Sequence, residues 1–78
     1  MEPKTLAQLS VGETAVVVEL TQQGPLRRRL QDLGFTPGAR VTALFESPAG
    51  DPVAYEVRGT VIALRRADSA RIRIEWTG

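Results

Sequence analysis

The sequence predicts a mostly β protein: a small, partly open antiparallel barrel of five short strands, with one short α-helix inserted after the first strand. Three observations support this prediction. Segments rich in β-branched residues alternate apolar and polar positions, turns with glycine or proline separate these segments, and one stretch at residues 25–33 has helical spacing instead. Closing the strands into a barrel would hide most of the sheet edges.

Length and composition suit one folded domain that spans residues 1–78. A chain of 78 residues buries only about 60% of the surface of its unfolded state. A hydrophobic content of 42% is high enough for a core. The chain has no cysteine, so no disulfide can reinforce the core, and this absence fits a reducing compartment. We therefore expect a single domain that is held together by packing.

The chain is expected to begin with a short helical turn and a strand. Residues 5–9 suit one helical turn, in which Leu6 and Leu9 point inward. Gly12 follows in a turn, where it can adopt a positive φ. Residues 14–20 are β-branched and apolar, and their three consecutive valines predict a strand that is buried on both faces.

The helix predicted next has signals at both ends. Pro25 suits the first helical position, where its missing N–H has no intrahelical partner to lose. Leu26, Leu30 and Leu33 recur at i, i+4 and i+7, which places them on one stripe that faces the core. Gly34 follows as the expected left-handed C-cap. Three leucines are therefore predicted to attach this helix to the core.

After the helix the chain turns back into strands. Phe35 is placed to pack onto the helix, and Pro37 and Gly38 occupy the central positions of a type II turn. A strand is predicted at residues 40–46. Residues 47–52 contain two prolines and form a rigid loop, which is either a simple connection or a preformed contact for a partner.

The second half of the chain contains two segments with period two. In each segment alternate apolar residues are expected to face the core, with Trp76 either in the core or closing the barrel. These residues are Val53, Tyr55 and Val57 in one strand, and Ile72, Ile74 and Trp76 in the last strand. Between them, Gly59 marks a tight reversal into a strand at 61–64, and residues 65–70 suit a turn or a single helical turn.

Charge and hydropathy predict a soluble, cytoplasmic protein. Ten basic and nine acidic residues give a formal net charge of +1, whereas nucleic-acid-binding domains usually have a stronger basic excess. No apolar run approaches the roughly 20 residues that a membrane-spanning helix needs. The N-terminus also lacks the basic flank and the apolar stretch of a secretory signal.

The residues needed for catalysis or metal binding are scarce. The chain has no histidine, so the commonest general base and metal ligand is missing, and Lys4 is the only lysine. The metal ligands that remain are carboxylate and carbonyl oxygens. The sequence around Asp51 lacks the closely spaced acidic residues of a calcium-binding loop. No phosphate-binding glycine motif occurs. We therefore expect no enzyme activity, no cofactor and no metal site.

The arginine triplet Arg27, Arg28 and Arg29 has two compatible interpretations. These residues can form a solvated helix face, with Arg28 paired to Asp32 at i, i+4. They can also form a basic ridge, joined by Arg65 and Arg66, that docks on an acidic partner. The candidate partner-binding residues are Arg27, Arg28, Pro48, Asp51 and Arg65.

Two longer motifs resemble a known family. The motif RxxLxxLGFTPGxxV, followed by SPAGDPVxYEVRGxxIALRRxDxxxIxIE, is similar to the FeoA domain, the small ferrous iron transport protein A. The resemblance covers about residues 6–75. Its structural positions in this chain are Leu30, Leu33, Gly34, Pro37, Gly38, Gly50, Asp51 and Leu64.

The resemblance implies both a fold and a function. The implied fold is an SH3-like barrel with a helix between the first two strands. The implied function is that of a cytosolic accessory that binds FeoB, a membrane transporter of ferrous iron with a GTPase domain, and modulates it without catalysis. Its contact would be with the GTPase domain or the membrane part of FeoB, so the accessory would be peripheral to the membrane through its partner.

Two alternatives come from the residues. The first is a nucleic-acid-binding barrel that uses the Arg27, Arg28 and Arg29 ridge; we do not expect this because few aromatic residues are available for base stacking. The second is weak self-association, since an uncovered strand edge can pair with itself.

Overall fold

The computed structural model describes residues 4–77, whose strands form one five-stranded antiparallel sheet. A short 3-10 turn at Leu6–Gln8 precedes the first strand. The strands are β1 (Thr14–Leu20), β2 (Arg40–Glu46), β3 (Val53–Val57), β4 (Thr60–Leu64) and β5 (Ile72–Trp76). The helices are α1 (Gly24–Leu33) and α2 (Arg66–Ser69). The predicted mostly β fold, with a helix inserted after the first strand, is confirmed.

The sheet is curled but not closed. Its strand order is β4-β3-β2-β1-β5, and within residues 4–77 no pairing joins the two outer strands. The word barrel is therefore a loose description, because β4 and β5 each keep an outer edge. The prediction that closure of the barrel hides most sheet edges is therefore wrong, since both outer strands keep an edge.

The core lies on the inner face of the sheet. Alternate residues of the strands are buried there, together with Leu6, Leu30 and Phe35. In β1 the burial alternates: Ala15 and Val17 are buried, whereas Val16 is only half-buried. The prediction that β1 is buried on both faces is therefore wrong, because no second layer covers the outer face of this strand completely.

Helix α1 has the expected ends but fewer core contacts than expected. Gly34 adopts φ 117°, and its N–H is directed at the carbonyls of Gln31 and Leu30. Leu30 is 2% exposed and Leu33 is half-buried, but Leu26 is 40% exposed. The prediction of three leucines in the core fails at Leu26, since the whole first half of the helix faces solvent.

Two predicted turns are confirmed by backbone geometry. Gly38 has φ 89°, and the Ala39 N–H donates to the Thr36 carbonyl over 2.9 Å, as in a type II turn. Between β3 and β4, Arg58 and Gly59 have φ of 49° and 79°. Positive φ at both central residues is typical of a type I′ turn, whose twist matches a tight hairpin.

The predicted core position of Trp76 is not confirmed. In β5, Ile72 and Ile74 are buried as expected. Trp76 pairs with Ala15 at the end of the strand and is 40% exposed, because the sheet does not continue past it.

Neither helix between residues 4 and 77 has the length and apolar character that a membrane-spanning helix requires.

Candidate interaction surface

The three arginines of α1 form an exposed basic ridge. Arg27, Arg28 and Arg29 are consecutive and all exposed, and at about 100° per residue they fan over roughly half of the helix circumference. The expected pair between Arg28 and Asp32 is not formed: the ion pairs within residues 4–77 are Arg66–Glu46 and Arg73–Glu19. The guanidinium groups of the ridge are therefore available to a partner.

Arg66 is used differently, as a clamp between distant segments. Its backbone N–H donates to Asp51 Oδ1 over 3.0 Å, and its Nε donates to the Gly50 carbonyl over 3.1 Å. Its Nη1 donates to the Ala7 carbonyl over 3.1 Å, and its Nη2 lies 3.4 Å from Glu46 Oε2. These bonds engage the Arg66 side chain within the chain, so it is less free to extend the basic ridge than the sequence suggests, although it remains 47% exposed.

The loop at residues 47–52 is closed by its own backbone. The Gly50 N–H donates to the Ser47 carbonyl over 2.7 Å, and the Ser47 N–H donates to the Pro52 carbonyl over 3.0 Å. Gly50 has φ 85°, a conformation that costs glycine little. The loop therefore holds a defined shape with Pro48 exposed.

The five candidate partner-binding residues fall into two groups. Pro48, Asp51 and Arg65 surround the loop and the start of α2, since Asp51 binds the residue that follows Arg65. Asp51 is an anchor of the loop, whereas Pro48 and Arg65 are exposed. Within residues 4–77, no hydrogen bond or ion pair connects this group to Arg27 and Arg28.

A groove lies beside Arg66 and was missed by sequence reasoning. It has a volume of about 370 Å³ and combines an apolar wall with an ion pair. Its lining residues are Ala7, Gln8, Leu9, Ser10, Val11, Glu46, Val53 and Arg66. No local signal could reveal it, because four segments that are distant in sequence contribute to it.

Buried polar groups support the core behind this surface. Tyr55 is 1% exposed and its hydroxyl donates to the Leu6 carbonyl over 3.3 Å. Burial raises the pKa of this hydroxyl above its ordinary value of 10.0, because the charged phenolate is poorly solvated there. Gln22 is also buried, and its Nε2 donates to the Asp68 carbonyl over 2.7 Å. Tyr55 thus attaches the first turn to β3, and Gln22 attaches α2 to the segment between β1 and α1.

The charged groups of this surface can be compared with what a metal ion or a partner would need. Among residues 4–77, no group of three or more histidine, cysteine, aspartate or glutamate side chains is placed to hold a metal ion. The exposed charges on α1 and around the loop include the arginines Arg27, Arg28, Arg29 and Arg65, whose guanidinium groups suit bidentate contacts with carboxylates.

Comparison with protein families gives a match over nearly the whole chain. The model of the FeoA domain family matches residues 4–75. A relative from Porphyromonas gingivalis is 36% identical over 70 residues, which are 90% of this chain. That relative is an Fe(2+) transport protein A/Fe(2+) transporter FeoB fusion protein, and this chain spans 8% of its length.

Solved structures give the same result at the level of the fold. The FeoA protein of Chlorobium tepidum superposes with a TM-score of 0.90 at 31% identity, over 95% of this chain and 70% of that one. The FeoA protein of Stenotrophomonas maltophilia, solved with zinc, superposes with a TM-score of 0.80 at 30% identity, over 94% of this chain and 91% of that one. It is described as a prokaryotic SH3 domain protein, which agrees with the SH3-like fold expected here.

Proposed function

The chain belongs to the FeoA domain family, and from this membership we propose that it is a small cytoplasmic regulator of bacterial ferrous iron uptake. In this proposal it binds the cytosolic part of a FeoB-like transporter and modulates that transporter. The relative from Porphyromonas gingivalis carries the proposal, because a similar segment is joined there to a FeoB transporter in one chain. Covalent linkage gives each module a high effective concentration for the other. Such a fusion is therefore expected where the two modules act together.

The basic ridge of α1 is the surface proposed to meet the transporter. It presents three adjacent exposed arginines on a helix whose C-terminal half is anchored through Leu30. Guanidinium groups bind carboxylates bidentately and lose water at low cost. Charged surfaces of this kind also raise the rate of association with an oppositely charged partner. The complementary surface on the transporter is therefore expected to be acidic.

Calorimetric titration of the protein against the cytosolic region of a FeoB-like transporter tests this proposal. We expect saturable binding, which the double substitution Arg27→Glu and Arg28→Glu weakens at least tenfold because it places like charges at the contact. A matched double substitution, Arg40→Glu and Arg71→Glu, reverses two exposed charges outside α1 and should leave the affinity within about twofold. The GTP hydrolysis rate of the transporter, measured in the same samples, reports modulation.

The proposal is wrong if neither the GTPase domain nor the full transporter binds the wild-type protein. Nucleic acid is the competing partner for the same ridge. Salt-sensitive retention of labelled RNA, abolished by the α1 double substitution, would support that alternative instead. A nucleic acid would find fewer free arginines than the sequence suggested, since the Arg66 side chain already bonds the carbonyls of Gly50 and Ala7.

A further inference from the structure

The two outer strands of the sheet differ in how their edges are protected. At β5 the Ile74 N–H donates to the Lys4 carbonyl over 3.0 Å, and Thr5 forms a bridge with Arg73. The N-terminal segment therefore covers part of this edge. At β4, no residue between 4 and 77 pairs with the outer edge.

β4 also lacks the side chains that usually prevent edge pairing. Its residues are Thr60, Val61, Ile62, Ala63 and Leu64, without a charge or a proline. Its pairing with β3 is continuous and has no bulge. Native proteins normally protect an exposed edge with lysine, proline, a bulge or a covering segment. β4 shows none of these devices, so its edge is open to pairing with another strand.

The hairpin geometry shows which backbone groups are available. Val57 and Thr60 are the partners that flank the two-residue turn, so they exchange both hydrogen bonds, and the direction of the backbone groups then alternates along the strand. Ile62 bonds toward β3 like Thr60. Val61 and Ala63 consequently direct their N–H and C=O groups outward, away from the sheet.

We propose that a second copy of this chain pairs with β4, antiparallel, about a two-fold axis that passes beside Ile62. In this register Val61 of each copy lies opposite Ala63 of the other, and Ile62 lies opposite its symmetry mate. Both residues of each Val61–Ala63 pair have outward backbone groups, so each pair exchanges two hydrogen bonds. The two sheets then form one continuous sheet of two copies.

The outer face of the sheet is complementary to itself in the same register. Phe45, Ala54 and Ala63 form a row across β2, β3 and β4, and Phe45 is 59% exposed. Pairing extends this apolar row to Val61 of the other copy. In the same register Glu56 of the other copy only follows Val61 at the far end of this row, since it pairs with Val61 on β3. The apolar row that continues across both copies favours a second copy over an unrelated strand.

The size of the contact predicts a weak dimer. One strand pair of five residues buries less than the roughly 1,200 Å² of a stable interface, so we expect a dissociation constant on the order of 0.1–1 mM. This pairing is independent of the proposed contact with the transporter, because that contact is placed on the arginines of α1 and this one on the edge of β4.

Sedimentation equilibrium of the full chain from 10 µM to 2 mM tests the pairing. We expect the average mass to rise toward that of a dimer, and Val61→Lys to abolish the rise. Val11→Lys is the matched control: Val11 is 51% exposed and Val61 57%, but Val11 lies outside the sheet. This control should associate like the wild type. A wild-type protein that stays monomeric at 2 mM, or equal loss of association in both variants, overturns the proposal.

Hydrogen exchange followed by NMR measures the protection of individual amides, and it therefore distinguishes strand pairing from nonspecific hydrophobic association. Protection of the Val61 and Ala63 amides should rise with protein concentration, while the Ile62 amide, already bonded to β3, should change little. Ala63→Pro removes an outward N–H without removing a bond to β3, so it should abolish both effects. Concentration-dependent protection elsewhere, with none at Val61 and Ala63, contradicts this register.

Discussion

At the scale of single residues, Tyr55 shows how the core restricts a polar side chain. Its ring is enclosed by the inner face of the sheet, and its hydroxyl contacts the Leu6 carbonyl. The raised pKa means that the folded protein prefers the neutral phenol more strongly than the unfolded chain does. The stability contributed by Tyr55 is therefore complete below pH 10 and is lost as the pH rises through the folded-state pKa.

We predict that the free energy of unfolding decreases above about pH 10 more steeply in the wild type than in Tyr55→Phe. The phenylalanine variant cannot ionise, but it loses a hydrogen bond worth about 1 kcal/mol and should be less stable at neutral pH. Urea denaturation between pH 7 and pH 11 measures both effects. Identical pH profiles for the two proteins would show that ionisation of Tyr55 does not oppose folding.

Asp51 has a role inside the fold that its residue type alone does not reveal. From the sequence it is an acidic loop residue available to a partner, but its carboxylate accepts the backbone N–H of Arg66. Its interaction therefore stabilises the loop at residues 47–52. Arg65, one position before Arg66, is exposed, so a partner on this side of the molecule would meet Arg65 and Pro48 first.

At the scale of elements, α1 is a helix that is anchored by only part of its length. Leu30 is enclosed by the core and Leu33 packs against it, while the first half of the helix is exposed. The anchored half positions the helix, and the exposed half presents the basic ridge. This division explains how one short helix can serve both stability and recognition.

We predict that Leu30→Ala and Leu26→Ala differ strongly in stability although both lie on the same stripe. Leu30→Ala creates a cavity and should lower the free energy of unfolding by about 2–5 kcal/mol. Leu26→Ala removes an exposed side chain from a helix and should change it by less than about 1 kcal/mol. Chemical denaturation of both variants measures the difference. Similar losses would show that the first turn of α1 is packed after all.

At the scale of the whole molecule, Arg66 connects parts of the chain that are distant in sequence. Its side chain bonds the carbonyls of Ala7 and Gly50, and its backbone bonds Asp51. The N-terminal turn, the loop at 47–52 and α2 thus meet at one residue. Ala7 and Gln8 of the turn and Arg66 itself also line the groove, so the shape of that groove depends on this clamp.

We predict that Arg66→Gln destabilises the protein and Arg65→Gln does not. Two side-chain hydrogen bonds to carbonyls are lost in the first variant, and because the side chain is 47% exposed we expect a loss of about 1–2 kcal/mol. Arg65→Gln, the adjacent control, should change the free energy of unfolding by less than about 0.5 kcal/mol. Urea denaturation gives both values, and equal losses would refute the clamp.

The sequence by itself determined the local structure of this protein. The C-cap at Gly34, the turn at Pro37 and Gly38, the strand β2 and the hairpin at Gly59 were all predicted and are confirmed. Each depends on the conformational preferences of a few adjacent residues, or on a period that repeats within one element. Such information is present in the sequence before any two segments meet.

Only the tertiary structure decided which residues are covered and which contacts connect distant segments. The exposure of Leu26, the role of Arg66 and the groove beside it were not predicted. An uncovered strand edge was considered, but the sequence did not say that it belongs to β4. Helical periodicity orients Leu26 toward the side of the core, but it does not say how far the sheet extends beneath the helix. Burial and long-range hydrogen bonds depend on how far each element reaches past its neighbours, and this is a property of the assembled fold.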